Sequence, residues 1–239
     1  MFNIKSHIPN TITCCNLLCG AVAVFMATQN AFAYAFLFIL LGAVFDFFDG
    51  MSARALGVSN PKGVEMDSLA DDITFGLAPA MVLFCYLRPL IGWWSLIALL
   101  MAAFSALRLA KFNLDTRQHD SFIGLATPSN AIFWASICSM PYAILAWDGM
   151  PWVMLALSLV SCYLLVSEIP FFSLKFHNMS WKENYVKYIF IVGCIVVIGF
   201  CVMRAIQYGR WEFALFSGAV CIVWYFVINC VNLLTPNKK

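Results

Sequence analysis

Four aspartates in one short stretch are the residues best suited to do chemistry. Asp46 and Asp49 stand three residues apart, and Asp67 and Asp71 stand four apart. On a helix that turns about 100° per residue, members of the first pair differ by about 60° and those of the second by about 40°, so each pair shares a face. Ionised carboxylates at the end of apolar helices need cations or water around them, because burying an unpaired charge is costly. The spacing therefore predicts a polar site built from two helices.

This group of acids favours metal-ion chemistry. A short loop between two antiparallel helices would bring the two faces together at similar depth. Hard oxygen donors suit Mg²⁺, Mn²⁺ or Ca²⁺ better than zinc, and the stretch contains no histidine or cysteine. Two such ions, about 3.5–4 Å apart, organise displacements at phosphorus by holding the attacking and leaving oxygens. We therefore predict phosphoryl-type transfer at a site for two Mg²⁺ or Mn²⁺ ions.

Small residues accompany the acids. Gly50 and Ala53 lie on the same predicted helix, where bulky side chains would keep a nucleotide away from the backbone. Glycine and alanine also permit close packing of membrane helices, and that alternative stays open at this point. The neighbouring carboxylates favour a bound ligand.

The elements that must position these residues are membrane helices. The chain has 239 residues, of which 63% are hydrophobic and 11% charged. A spanning helix needs about 20 apolar residues, so the chain has room for eight at most. We predict an all-α polytopic bundle in one membrane-embedded domain, 1–239. The predicted spans are 9–28, 31–51, 64–88, 92–112, 127–147, 151–168, 185–205 and 211–233.

Function should concentrate in a catalytic core at about 8–175, because the last two spans, 185–233, carry almost no acids and are expected to be peripheral. Lysine and arginine are distributed unevenly over alternate connectors, eleven against three. By the positive-inside rule, both termini and the acidic site face the cytoplasm. The basic residues are scattered, which excludes a nucleic-acid surface. Most cysteines fall in apolar runs without metal-ligand spacing, as small buried residues do.

The acidic stretch resembles the signature of the CDP-alcohol phosphotransferase family, D-x2-D-G-x2-A-R-x8-G-x3-D-x3-D. All eight fixed positions are matched, from Asp46 to Asp71. The resemblance implies that three acids bind metal and that Asp71 both binds metal and deprotonates the acceptor hydroxyl. The three metal-binding acids are Asp46, Asp49 and Asp67. It also implies that the CDP moiety is surrounded by Gly50, Ala53, Arg54 and Gly63.

Further elements resemble the branch of that family that uses serine. They are Ile8-Pro9-Asn10, Asn16-Leu-Leu-Cys-Gly20, Phe75-Gly-Leu-Ala-Pro79, Leu107-Arg-Leu-Ala-Lys-Phe-Asn113 and Phe122-Ile-Gly-Leu-Ala-Thr-Pro128. The implied activity is transfer of the phosphatidyl group of CDP-diacylglycerol to the serine hydroxyl, giving phosphatidylserine and CMP. The resemblance also implies a homodimer. The compact chain favours a prokaryotic cytoplasmic membrane.

Serine carries a carboxylate and an ammonium, so its pocket should offer a cation and an acid. Arg108 is the first cation candidate, because it interrupts an apolar run where an uncompensated guanidinium is disfavoured. Lys111 and Lys175 are the others, and for all three, snorkelling to the membrane interface stays an alternative. Asp72 points about 100° away from Asp71 and is expected to pair with a cation or with the amine.

Two other functions stay open from the residues alone. The same chemistry could use glycerol 3-phosphate or inositol phosphate, although a phosphorylated acceptor needs clustered cations and few are present. A cation-coupled transporter would also place carboxylates in the membrane. It predicts acids spread over the bilayer depth and an inverted repeat, whereas these acids cluster at one end of two spans.

Overall fold

A computed structural model of the chain describes residues 4–58, 61–115, 121–141, 147–172 and 181–234. Within these ranges the chain is almost wholly helical. The α-helices are α1 (Ile4–Thr28), α2 (Phe32–Leu56), α3 (Pro61–Asp71), α4 (Ala78–Ile91), α5 (Leu100–Leu114), α6 (Thr127–Cys138), α7 (Met150–Val166), α8 (Trp181–Tyr208) and α9 (Glu212–Leu234). A π-helical segment, Asp72–Leu77, joins α3 to α4, and a 3₁₀ segment, Gly92–Leu99, leads into α5.

Helices α1 and α2 form a hairpin that carries half of the acidic site. The turn between them places Asn30 in the left-handed region, with φ 58°. Helix α2 ends at Gly57, also left-handed, where the amides of Gly57 and Val58 donate to the carbonyls of Arg54 and Ala53. This pairing is a Schellman motif, which satisfies the last carbonyls of a helix. The helix that carries two of the acids therefore stops about two turns beyond Asp49.

Helix α5 runs back along α3 and the π segment. The chain turns at Gly92, whose φ of 60° and ψ of −133° favour glycine. Beyond this turn, Ser105 lies against Gly76 of the π segment, and the Asn113 amide donates to the Ser68 hydroxyl at 2.8 Å. The start of α5 is thus beside the middle of the bundle and its end is beside α3, next to the acids.

Large apolar side chains fill the middle of the bundle. The fully buried residues include Phe36, Phe75, Tyr86 and Trp134. Trp134 donates its indole N–H to the Ser161 hydroxyl at 3.1 Å, which links α6 to α7. All ten cysteines, which lie in the described ranges, are free, so they form no disulfide framework. Only Cys19, Cys138 and Cys162 are buried, so the interpretation as small buried residues holds for these three alone.

One non-helical element was missed by sequence reasoning. Strands β1 (Ser121–Ile123) and β2 (Pro170–Phe172) pair antiparallel, with Ser121 opposite Phe172. Three-residue strands lack the length for a period-two pattern, so the sequence carries little signal for them. The pair ties the segment before α6 to the segment after α7.

The described residues confirm the membrane helices of the prediction but not their number. Among the described residues, five helical stretches are long and apolar enough to cross a membrane: His7–Thr28, Phe32–Leu56, Pro61–Leu114, Asn184–Tyr208 and Glu212–Leu234. The chain is therefore an integral membrane protein, but eight separate spans are not confirmed. The third stretch contains two expected spans, 64–88 and 92–112. Helix α6 has 12 residues, fewer than the expected 127–147, and α7 is a shorter apolar helix.

Candidate active site

Three of the four predicted acids converge. Asp46 and Asp49 come from the end of α2, and Asp67 comes from α3. One carboxylate oxygen from each of the three residues lies within 4.8 Å of the other two. Three carboxylates at this distance repel one another strongly unless cations lie between them. This donor set fits Mg²⁺ or Mn²⁺, which prefer oxygen ligands.

Asp71 lies beside this group, one turn along α3 from Asp67. Its carboxyl interacts directly with that of Asp46, and its Oδ1 accepts a 3.1 Å hydrogen bond from the Asn16 amide. The Asn16 side chain is fully buried. The predicted base is thus held by α1 at the edge of the acidic group, with one oxygen already bonded.

Helix α1 supplies a second polar contact that the sequence interpretation overlooked. The Thr13 hydroxyl donates to Asp49 Oδ2 at 2.7 Å, and Thr13 is buried. Thr13 and Asn16 stand three residues apart and so lie on the same face of an otherwise apolar helix. Polar residues at this spacing inside an apolar run were the available signal for both positions.

A cleft of about 540 Å³ opens beside the acids, between the start of α1, the end of α2 and the start of α3. Its lining includes Asp49 and Asp67 and all four residues expected around the CDP moiety: Gly50, Ala53, Arg54 and Gly63. A nucleotide diphosphate placed here would lie next to the carboxylates.

The two glycines of this cleft that stand in the signature differ in how closely other residues approach them. A Cβ on Gly50 would meet only the flexible Arg54 side chain, at 3.6 Å, and one on Gly63 would lie 3.3 Å from Asn10 Oδ1. Elsewhere in the bundle, a Cβ on Gly42 would lie 2.5 Å from Thr74 Cγ2, which real structures do not tolerate. The packing alternative raised by the sequence therefore fits Gly42 and does not fit Gly50.

The expected acceptor cations have different surroundings. Arg108 is 6% exposed, interacts electrostatically with Asp71, and donates a long 3.5 Å hydrogen bond to the Thr127 hydroxyl. Because Arg108 is buried, its guanidinium does not extend to the membrane interface, and the snorkelling alternative does not apply to it. Lys111, by contrast, forms an ion pair with Glu168 and donates to the Val166 carbonyl at 3.4 Å. Lys175 lies outside the described residues.

Asp72 turns away from the other acids, as its position after Asp71 predicts. Its Oδ1 lies close to Gly76, as does the Ser105 hydroxyl on α5. The π segment begins at Asp72, and π-helical turns inside longer helices frequently occur at functional sites because they shift side chains relative to the regular register. The acid therefore belongs to the α5 side of the site.

Comparison with known proteins gives this geometry a context. The sequence profile of the CDP-alcohol phosphatidyltransferase family matches residues 6–164. A Bacillus subtilis protein named CDP-diacylglycerol–serine O-phosphatidyltransferase is 38% identical over 183 residues, which are 75% of this chain and 97% of the relative. This chain belongs to the CDP-alcohol phosphatidyltransferase family.

Two more relatives carry the same name. The one from Methanocaldococcus jannaschii is 28% identical over 202 residues, covering 83% of this chain and 88% of the relative. The one from Helicobacter pylori is 34% identical over 127 residues, covering 52% of this chain and 54% of the relative. Family membership makes the chain a transferase of phospholipid synthesis, and the transporter alternative is wrong.

A layer of buried polar atoms, several of them without a hydrogen-bond partner among the described residues, adjoins the acids, and Ser105 and Asn130 in it were not predicted. It lies where the π segment, α5 and α6 meet. The Asp72 carboxyl and the Ser105 hydroxyl interact with each other in this layer. Arg108 Nε, Asn130 Nδ2 and Asn130 Oδ1 have no hydrogen-bond partner among the described residues. Leaving one such atom unsatisfied costs about 1–3 kcal/mol, so the layer is suited to a polar ligand or water. Ser105 and Arg108, like Thr127 and Asn130, recur at three-residue spacing, which was the available signal.

Proposed function

We propose that this family member transfers the phosphatidyl group of CDP-diacylglycerol to the hydroxyl of L-serine, giving phosphatidylserine and CMP. The observation that carries the chemistry is the convergence of Asp46, Asp49 and Asp67 at the wall of a glycine-lined cleft. The names of the relatives support serine as the acceptor.

The cleft is proposed to hold the CDP moiety. Gly50, Ala53 and Gly63 leave the backbone accessible, and Arg54 supplies a positive charge at the same wall. A guanidinium forms strong charge-assisted hydrogen bonds to phosphate oxygens. The acyl chains would extend along the apolar outer surfaces of the helices into the bilayer.

Asp46, Asp49, Asp67 and Asp71 are the proposed ligands of two divalent ions, Mg²⁺ or Mn²⁺. When bound, these ions supply neutralisation of the diphosphate charge and alignment of the attacking and leaving oxygens. The chain itself orients the acids: Thr13 donates to Asp49, and Asn16 donates to Asp71. Each hydrogen bond occupies one carboxylate oxygen, Asp49 Oδ2 or Asp71 Oδ1, and so restricts the orientation of that carboxylate.

Asp71 is the proposed general base. It takes the proton of the serine hydroxyl while that oxygen forms a bond to the phosphorus carrying diacylglycerol. The bond from this phosphorus to the bridging oxygen of the diphosphate breaks, and CMP leaves with the electron pair. Atoms and charge balance without any other reactant. The hydrogen bond from Asn16 keeps the Asp71 carboxylate oriented toward the acceptor side.

The serine pocket is proposed to lie on the α5 side of Asp71. Arg108 is the best ligand for the serine carboxylate, because it is buried, close to Asp71 and has an unpartnered Nε. Asp72 is the proposed partner of the ammonium, and Ser105 and Asn130 offer further hydrogen-bonding atoms. Lys111 is a weaker proposal, since Glu168 already neutralises it. Lys175 stays a prediction from the sequence alone.

The placement in the membrane also belongs to the proposal. The bias of lysine and arginine supports both termini and the cleft facing the cytoplasm, in a prokaryotic cytoplasmic membrane. The homodimer stays a prediction from the family resemblance, and its test is the mass of the protein in detergent.

Release of CMP tests the proposed function. Purified protein receives CDP-diacylglycerol and Mn²⁺ or Mg²⁺, with serine, glycerol 3-phosphate or inositol phosphate in parallel reactions. We expect serine-dependent release that chelation abolishes. Release with a phosphorylated alcohol alone would keep the site and overturn the serine pocket. No release with any of the three acceptors would overturn the proposal.

A further inference from the structure

Helix α9 lies outside the region that the family profile matches, 6–164, yet it holds the segment that follows α7. The Asn229 amide donates to the Pro170 carbonyl at 3.1 Å, and its Oδ1 accepts from the Phe172 amide at 3.2 Å. The Tyr225 hydroxyl donates to the Phe172 carbonyl at 2.9 Å. Both side chains are buried. Three hydrogen bonds thus join α9 to strand β2.

The same helix is fixed to the catalytic bundle through α6. The Ser136 hydroxyl donates to the Leu215 carbonyl at 2.8 Å and accepts from the Ala219 amide at 2.9 Å. These two backbone groups are i and i+4 partners in α9, so the hydroxyl joins the helix's own hydrogen-bond ladder. A Cβ on Gly218 would lie only 3.0 Å from Phe36. Helix α9 therefore cannot shift against α6 without breaking close contacts.

Strand β2 is in turn connected to the acceptor side of the site. The Gly124 amide donates to the Ile169 carbonyl at 2.9 Å, just before α6 begins at Thr127, the residue that accepts from Arg108. Between α7 and β2 stands Glu168, the ion-pair partner of Lys111. Tyr225 also interacts electrostatically with Arg108 itself.

We infer that Tyr225 and Asn229 are positioning residues of the acceptor site: through strand β2 they set the placement of Arg108 and Lys111. The inference rests on the proposed function, since it takes the alcohol to bind beside Arg108. It assigns part of the acceptor site to a helix that sequence reasoning placed at the periphery.

This arrangement separates the two substrates. The CDP cleft is lined by the start of α1, the end of α2, the start of α3 and the α2–α3 connection, and none of its lining residues belongs to α9 or β2. Loss of the Asn229 amide leaves two backbone groups of β2 without that partner and loosens the segment before α6. Acceptor binding should weaken while binding of the CDP lipid stays the same.

The test compares three variants of the full-length protein. Asn229→Leu removes both hydrogen bonds at similar size, and Tyr225→Phe removes one hydroxyl while keeping the ring stacked on Phe171. Asn232→Leu is the matched control: it removes an amide from the same helix, at a position lining a groove toward α8. Steady-state kinetics give KM for serine and for CDP-diacylglycerol separately. Hydrogen–deuterium exchange without substrates reports on residues 167–172.

We expect KM for serine to rise about 10-fold in Asn229→Leu and about threefold in Tyr225→Phe, as loss of one or two hydrogen bonds would produce. KM for CDP-diacylglycerol should stay within about twofold of wild type in all variants, and so should KM for serine in the Asn232→Leu control. Exchange at 167–172 should be faster in Asn229→Leu, less so in Tyr225→Phe, and unchanged in Asn232→Leu.

Unchanged KM for serine in both test variants would overturn the inference. So would an equal rise of both KM values, because that result indicates general loosening. If Asn229→Leu does not fold, Tyr225→Phe decides alone. Failure of the proposed function is a different result, since wild-type protein would then release no CMP with serine. In that case the alcohol that does support release replaces serine in the same comparison.

Discussion

Helix α2 carries two glycines whose surroundings are opposite. Gly42 lies in the closed crossing, which we define by Gly20, Gly42 and Thr74: a Cβ on either glycine would come within 2.5 Å of a Thr74 side-chain atom. Gly50, two turns later, lies in the open cleft, where a Cβ would have only ordinary contact with Arg54. The first glycine brings α1, α2 and the π segment together, and the second leaves space.

The comparison teaches how a packing glycine differs from a ligand glycine. In the closed crossing the Thr74 hydroxyl donates to the Asn16 carbonyl at 3.0 Å, and the Asn16 amide holds Asp71. Close packing there fixes the base. In the open cleft the space beside Gly50 faces Asp49 and Asp67. The closed crossing positions Asp71, and the open cleft is the proposed binding site of the nucleotide.

The largest expected effect is that of Asp71→Asn. The amide keeps the size of the side chain and can still accept from Asn16, but it cannot take a proton. Turnover should fall about 10²- to 10⁴-fold, the usual contribution of a general base. Thermal unfolding in detergent should stay near that of wild type. An active Asp71→Asn enzyme would show that the closed crossing positions something other than the base.

Arg108→Lys is expected to have the next largest effect. Lysine keeps the charge but loses the planar fork that binds a carboxylate through two hydrogen bonds. KM for serine should rise about 10- to 100-fold, which corresponds to about 1.5–3 kcal/mol. KM for CDP-diacylglycerol should not change. An equal effect on both substrates would argue that Arg108 supports the whole site and does not select the acceptor.

Gly42→Leu tests the closed crossing. The side chain cannot fit beside Thr74, so we expect overpacking to destabilise the protein by about 1–3 kcal/mol. The measurement is the midpoint of thermal unfolding without substrates. A variant as stable as wild type would mean that the crossing is looser than the contact distances indicate.

Gly50→Leu is the matched variant in the open cleft. The fold should be as stable as wild type or slightly more so, because leucine favours a helix over glycine by up to about 1 kcal/mol. KM for CDP-diacylglycerol should rise about 10-fold through loss of space for the nucleotide, about 1.4 kcal/mol. An unchanged KM for CDP-diacylglycerol would mean that the nucleotide does not bind beside Gly50.

The smallest effect is expected at the ends of α1 and α2 that lie opposite the acidic site. A larger cavity, about 850 Å³, lies there and includes Arg88 and Glu212 in its lining. Arg88 packs over the Trp93 ring at 3.9 Å, and no cluster of acids like that of Asp46 is found among the described residues there. Arg88→Ala should leave both KM values and turnover within about twofold, since cation–π contacts at exposed sites contribute about 0.5–1 kcal/mol. A strong loss of activity would make this cavity part of the enzyme's function.

The convergence of the acids could be predicted because fixed spacing on helices determines which side chains share a face. The direction of Asp72 followed from the same rule. The residues expected around the CDP moiety had another basis: the small size of Gly50 and Ala53 and, for Arg54 and Gly63, the family resemblance alone. The roles of Gly42 and Gly50 could not be separated from sequence, since both read as small residues beside polar ones and only the neighbouring helix distinguishes them.

Most of the features that could not be predicted depend on contacts between residues far apart in the sequence. Thr13 and Asn16 act on acids more than 30 residues away, and Lys111 is paired with Glu168, 57 residues along the chain. The links from α9 to β2 span more than 50 residues. Periodicity reports on local structure, so it could predict these helices without predicting their partners. The predicted eight spans are likewise not confirmed, since five helical stretches of the described residues are long and apolar enough to cross a membrane and α7 is a shorter apolar helix.

The most direct test of the central claim follows the serine oxygen. Wild-type protein and Asp71→Asn are incubated with CDP-diacylglycerol, metal ion and serine labelled with ¹⁸O in its hydroxyl group, and the lipid product is analysed by mass spectrometry. If the serine hydroxyl attacks phosphorus, wild-type protein makes phosphatidylserine that keeps the label, one CMP appears for each product, and the variant makes almost none. Unlabelled phosphatidylserine, or CMP release without any phosphatidylserine, would contradict this account.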